Sequence, residues 1–222
     1  MEHFASATQN PEKETRIYLV RHGQSLGNCN RVFVGQTEVD MTELGYMQAK
    51  ETAAHLANAD ISAIYASDLS RAYNTALPHA KLRGVEVIKS KGMRELYVGK
   101  WEQQPADLLL ELYPDTFGGT WKHDFLNSCP DGGESVPDLI KRIHNELLRI
   151  AKENAGKTIL VVSHGAAIRA FWCSISNLSG ENIPGYPSNA SYSTIVYDGE
   201  KFIPVAYSCD EHLSNISNVS SM

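Results

Sequence analysis

Short apolar runs alternate along this chain with longer stretches in which apolar residues recur at helical spacing. Ile17–Val20, Ile61–Ala66, Val85–Ser90 and Thr158–Ser163 have the length and β-branched content of strands. Between them, Thr42 to about Leu56 and Ser70 to about Leu82 are expected as helices, the second stopping at Gly84. A third helix is expected to start at Ser135, with Pro137 in its first turn and Asp138 three residues after the cap, and to end near Asn154–Gly156. A fourth covers Ala166–Ser176. Two β-rich pieces, Tyr192–Tyr197 and Phe202–Tyr207, follow, joined by the hairpin signal Asp198-Gly199. Residues 96–134 fit neither period. They hold Gly, Pro and aromatics, with one brief helical stretch around Ala106–Tyr113.

Strands that alternate with amphipathic helices imply an α/β fold: a three-layer αβα sandwich around a mainly parallel central sheet. One domain is expected over 15–213, with a cap segment at about 96–136. A flexible arm is expected at 1–14 and a flexible tail at 214–222. In such folds ligands bind beyond the carboxyl ends of the strands. Three strand exits carry chemistry: Arg21-His22-Gly23, Ser67 to Arg71, and His164-Gly165.

Composition narrows the partners. The net charge of −6 comes with no Lys/Arg-rich block, which argues against nucleic acid and against an anionic membrane. The opening residues lack the apolar core of a signal peptide or a membrane span. Cys29, Cys129, Cys173 and Cys209 are scattered without a CxxC pair, as expected of reduced thiols in a cytoplasmic protein. Any positive site is therefore local, set in an acidic whole.

A core strand has no use for an arginine and a histidine at its exit, whereas a phosphate pocket does. A lone strand-end histidine is ordinarily structural. Here the pattern recurs at Ser163-His164-Gly165, and two such exits are hard to assign to packing. His22, with one ring nitrogen held by an acceptor, keeps a lone pair on the other for attack on phosphorus. Arg71 falls in the first turn of its helix, where Ser67 or Ser70 is expected to cap, and there a guanidinium can grip an anion bidentately. Glu95 follows the third strand. A phosphate dianion beside it would push its pKa upward and keep a proton available for a leaving alkoxide. Singly, Arg71 fits a surface ion pair and Glu95 a solvated carboxylate. Together they complete a nucleophile, an anion clamp and an acid.

In this combination the chain resembles the histidine phosphatase superfamily, the phosphoglycerate mutase-like family, over roughly 16–213. The residues that carry the likeness are "RHGQSLGN", "VGQTEVDMTELGYMQA", "SDLSRAYNTA", "ELYVGKWE", "DGGES" and "VVSHG", in that order. The resemblance implies that His22 is transiently phosphorylated, with Arg21, Arg71 and a protonated His164 around the phosphoryl group and Glu95 as proton donor. It implies that Asn28 lines the pocket and that the amide of Gly165 assists. Gly35, Asp40, Thr42 and Gly45 match a structural loop before the first long helix. No metal and no cofactor are called for. Leu26-Gly27 departs from the tryptophan common in the mutase-like branch.

The substrate is expected to be a small phosphorylated metabolite, and the reaction hydrolysis of its phosphomonoester. A bisphosphoglycerate-dependent mutase and an inactive phospho-ligand-binding module are the alternatives. A mutase needs extra cations and a long cover. Residues 96–136 carry Lys100 and Lys122 against Glu102, Asp107, Glu111, Asp115, Asp124, Asp131 and Glu134, an acidic cover for a doubly anionic substrate. Those acids also fit solvent-facing turns. The cover's aromatics, Tyr97, Trp101, Tyr113, Phe117, Trp121 and Phe125, either line a leaving-group pocket or pack the cap onto the sheet. Tyr192 or His212 is expected near the same rim. Edge strands near 85–90 or 192–207 offer pairing into a homodimer.

Overall fold

A computed structural model describes residues 14–216, so the expected arm (1–13 of it) and most of the expected tail lie outside the described residues. In chain order the elements are β1 (Thr15–Arg21), the short helix α1 (Leu26–Cys29), β2 (Val32–Phe33), α2 (Glu43–His55), β3 (Ile61–Ser67), α3 (Ser70–Arg83) and β4 (Val87–Ser90). There follow β5 (Gln104–Pro105), α4 (Ala106–Leu112), α5 (Val136–Glu153), β6 (Thr158–Ser163), α6 (Gly165–Ser176), β7 (Tyr192–Tyr197) and β8 (Phe202–Cys209). The six long strands form one sheet in the order β4-β3-β6-β1-β7-β8, and β2 pairs with β5 in a separate ribbon. The first four are mutually parallel; β7 runs antiparallel to β1, and β8 antiparallel to β7, at one side. The outer strands are β4 and β8, so the edge expected within 192–207 belongs to β8 alone.

Alternation along the strands divides the interior into two layers. Val20, Ile64, Ala66, Leu160 and Val162 pack against Ala72, Ala76 and Ala80 of α3. Ile17, Leu19, Ile159 and Val161 face the opposite way, against Leu139, Ile143, Leu147 and Ile150 of α5 and Ile168 and Phe171 of α6. Burying each Leu or Ile contributes about 1.5–3 kcal/mol. The expected three-layer sandwich with its mainly parallel sheet is therefore the observed fold.

Helix ends follow local chemistry. Thr42 caps α2 through the Gly45 amide, and Ser135 caps α5 through the Asp138 amide. Gly84 closes α3 in the left-handed conformation. The start of α3 departs from expectation. Neither Ser67 nor Ser70 caps it; instead the Ser70 amide donates to the Glu38 carboxylate at 2.9 Å. An acid from a neighbouring loop supplies the negative charge that a helix start favours.

The cover's rings join the core that α5 and α6 build on the sheet. Trp101, Phe117, Trp121 and Phe125 are buried in edge-to-face contacts with Phe33 and one another. Packing the cap is thus the main use of these rings; Tyr97 is exposed. Four of the cover acids have structural partners, Asp124 among them through Asn127 Nδ2. Glu102 accepts from the Gln36 and Thr37 amides, Asp131 from Thr116, and Glu134 binds Arg142.

Candidate active site

The parallel register of β1 on β6 places Arg21 opposite Ser163. The next residue on each strand is a histidine, so His22 and His164 stand side by side with ring centroids 5.2 Å apart. The His22 amide donates to the Ser163 carbonyl at 3.0 Å, which extends the ladder one residue to the site. The chain then turns sharply: a Cβ on Gly45 would lie 2.1 Å from the Gln24 carbonyl oxygen. Only glycine allows α2 to come this close.

His22 is almost fully buried. Its Nδ1 lies 2.7 Å from the Gly23 carbonyl oxygen, so Nδ1 carries the proton and Nε2 the lone pair. Burial, then the Arg71 and Arg21 charges, holds its pKa well below the usual histidine range, with the Gly23 carbonyl pulling the other way. His164 is lowered likewise by burial, Arg71, His22 and Arg21. Burial and the neighbouring guanidiniums thus disfavour the protonated form of His164 that the resemblance implies.

Arg21 donates to the Pro187 carbonyl at 2.5 Å, and burial brings its pKa down to about 10 against the opposing Glu95 charge. It remains a cation at neutral pH. Arg71, buried in the first turn of α3, spends Nη1 on the Thr37 carbonyl at 3.0 Å and Nη2 on the Gly35 carbonyl at 2.7 Å. Glu95 reaches across to α6: its carboxylate accepts from the Ala166, Ala167 and Leu96 amides at 2.9–3.0 Å. Two of the amides at the start of α6, those of Ala166 and Ala167, are thus taken by Glu95. The Gly165 position serves by lacking a side chain, since a Cβ there would press on the Arg21 guanidinium at 3.2 Å.

Asn28 lines the pocket as expected. Its Oδ1 accepts from the Ser25 amide and from Asn189 Nδ2 at 3.1 and 3.0 Å. A cavity of about 180 Å³ opens among these groups, lined by Arg21, His22, Asn28, Arg71, Glu95 and Gly165 among others. Of the seven residues assigned a catalytic or binding role from sequence, all but His164 line it, and His164 lies against His22. Several buried polar atoms around it lack any hydrogen-bond partner: Arg21 Nε, both His164 ring nitrogens, Tyr186 Oη and Asn189 Oδ1. Each such atom costs about 1–3 kcal/mol unless something binds it. Among the described residues no group of three or more His, Cys, Asp or Glu side chains could hold a metal ion, and no helix is long and apolar enough to cross a membrane.

Tyr192 and His212 are not in the site. Tyr192 does sit beside Val20 at the rim, but its ring turns to the α2 face, against Tyr18, His55 and His212. His212 bonds Thr52 there at 2.9 Å. No local sequence pattern marks Arg31 and Tyr186, which line the cavity, or Asn189 and Arg142, which brace it. Asn189 Nδ2 also donates to the His22 carbonyl at 3.2 Å. Arg142 holds the Glu95 loop by its main chain, donating to the Gly92, Arg94 and Glu95 carbonyls at 2.9–3.1 Å.

A sheet whose parallel strand ends present two adjacent histidines between buried arginines defines a phosphate-binding α/β enzyme. Residues 17–210 match the model of the histidine phosphatase superfamily, branch 1. A metal-independent phosphoserine phosphatase of Arabidopsis thaliana is 33% identical over 204 residues, 91% of this chain and 84% of that protein. A solved mycobacterial glucosyl-3-phosphoglycerate phosphatase superposes with a TM-score of 0.80 at 26% identity, covering 87% of this chain and 98% of that one. A phosphoglycerate mutase structure from Bacillus anthracis shares the fold alone, with a TM-score of 0.81 at 21% identity over 92% of this chain and 97% of its own. The chain belongs to the histidine phosphatase superfamily. Its activity is that of a phosphatase.

Proposed function

We propose that the protein hydrolyses phosphomonoesters of small metabolites through a phosphohistidine formed on His22, with no metal. The observation that carries this reading is the fixed tautomer of His22. Its Nδ1 is engaged by the Gly23 carbonyl at 2.7 Å, and its Nε2 stands free beside Arg21 and Arg71. The Nε2 lone pair attacks phosphorus in line while the bond to the leaving oxygen breaks. Arg21 and Arg71 offset charge on the equatorial oxygens, and a His164 ring nitrogen without a protein partner donates to one of them. Glu95 gives its proton to the departing alkoxide. The same carboxylate then takes a proton from water as the oxygen attacks the phosphohistidine, releasing inorganic phosphate and restoring His22.

Asn28 and the open Gly165 position line the pocket and leave room for the phosphoryl oxygens. The Arabidopsis relative makes phosphoserine a natural first substrate to assay. The test is rapid acid or base quenching during turnover of radiolabelled substrate, in the presence of chelator. Label on the protein that survives base and is lost in acid, and that vanishes in His22→Ala, is expected. Full activity without protein-bound label would overturn the covalent route. Loss of activity on chelation, restored by a divalent cation, would overturn metal independence.

A further inference from the structure

A second cavity of about 310 Å³ adjoins the first and shares Phe33, Trp121 and Tyr186 with it. Phe117 adds another ring to its wall. Its charged groups are Lys122 and Arg169 against Asp107, an excess of positive charge in an otherwise acidic cover. Arg169 is held in place. Its Nε donates to the Pro184 carbonyl at 2.8 Å, and its guanidinium lies 4.3 and 4.5 Å from the Phe125 and Tyr186 ring centroids. Lys122 is exposed and makes no ion pair among the described residues. At the junction of the two cavities, the Tyr186 hydroxyl is buried; the Arg169 guanidinium approaches its oxygen, and no acceptor takes its proton. Burial foremost, with Arg169 opposing and Glu95 adding, pushes this phenol up to about 12, so it remains a donor at neutral pH.

We propose that the second cavity is a leaving-group subsite for phosphomonoesters of ring-bearing acids, with the substrate ring among Phe33, Phe117 and Trp121, its carboxylate on Lys122 and Arg169, and an oxygen of the leaving group on the Tyr186 hydroxyl. The inference rests on the phosphomonoesterase reading and narrows it. Rings stack well on such walls, and a carboxylate gains charge-assisted hydrogen bonds from the two cations. Of the cover acids that argued against a second anionic group, Asp107 alone lines this cavity, and Glu102, Asp131 and Glu134 are consumed by the fold elsewhere.

The test compares three probes on wild type, Lys122→Met, Lys122→Arg and Tyr186→Phe: p-nitrophenyl phosphate, phosphorylated para-hydroxyphenylpropionate, and the neutral amide of that acid. The acid and its amide share one leaving oxygen, so their ratio isolates the carboxylate. In wild type the acid is expected to exceed the amide about tenfold in kcat/KM, through KM, the worth of one charge-assisted contact. Lys122→Met lowers that ratio at least about threefold, and Lys122→Arg restores it. Tyr186→Phe lowers kcat/KM for the acid relative to p-nitrophenyl phosphate. Equal rates for acid and amide in wild type, or a ratio untouched by Lys122→Met, would overturn the subsite while leaving the phosphatase reading standing. Absence of p-nitrophenyl phosphate hydrolysis would instead remove the reading on which it rests.

Discussion

Arg142 and Glu95 are joined through the main chain: the guanidinium of Arg142 donates to the Glu95 carbonyl oxygen at 3.1 Å while pairing bidentately with Glu134. A residue of α5 thereby sets the height at which the Glu95 carboxylate meets α6. Arg142→Ala is expected to lower Tm, with an order of 1–3 kcal/mol lost from its hydrogen bonds. It should also slow alkyl phosphates more than p-nitrophenyl phosphate. An unselective slowing of both esters would assign Arg142 to stability alone.

Glu95→Gln keeps the shape of the side chain and removes the acid. Turnover of poor leaving groups is expected to fall by about 10²–10⁴-fold, the usual worth of general acid catalysis. Nitrophenolate leaves without a proton, so its loss should be far smaller. Leaving-group dependence measured across a series of phosphate esters checks this.

His22→Ala is expected to abolish turnover while far-UV circular dichroism and Tm remain near wild type. Substantial remaining hydrolysis would require another nucleophile.

His79 offers a stability test away from the site. It is fully buried in α3 with neither ring nitrogen bonded, and burial, Arg83 and His212 lower its pKa from 6.5 to about 3. Between those values the unfolded chain binds a proton that the fold excludes, so stability present above pH 6.5 is lost as pH falls toward 3. The slope is about 1.4 kcal/mol per pH unit for one such group. His79→Leu is expected to raise Tm, and by more at pH near five than near eight. Thermal melts at both pH values decide; a gain independent of pH would mean that packing, not the proton, is responsible.

Adding bisphosphoglycerate to enzyme with phosphoglycerate separates hydrolysis from isomerisation. Phosphate release is expected to dominate, and fast isomerisation with little phosphate would favour the mutase.

The strand exits were legible because each is local. A strand ending in His-Gly declares its chemistry within three residues, and the parallel sheet does the rest by aligning Arg21 with Ser163. Asn189 and Tyr186 were not legible: they follow α6 in a stretch with neither helical nor strand period, and only the return of β7 beside β1 carries them to His22. Tyr192 shows the opposite failure. It stands at the rim as expected, but its ring lies on the α2 side and not over the site, because a period of two decides on which side of the sheet a ring lies. The cap of α3 failed for a similar reason, as Glu38 lies 32 residues from Ser70 and no local pattern announces it.

Arg71 owes its pose to the Gly35 and Thr37 carbonyls, and that loop is itself pinned by Glu102 from the covering segment. The cover and the anion clamp are therefore mechanically one part. A lineage that reshapes this lid to admit a new alcohol must conserve a carboxylate at position 102 or surrender grip on the phosphoryl group. Selectivity and turnover in this protein are inherited together.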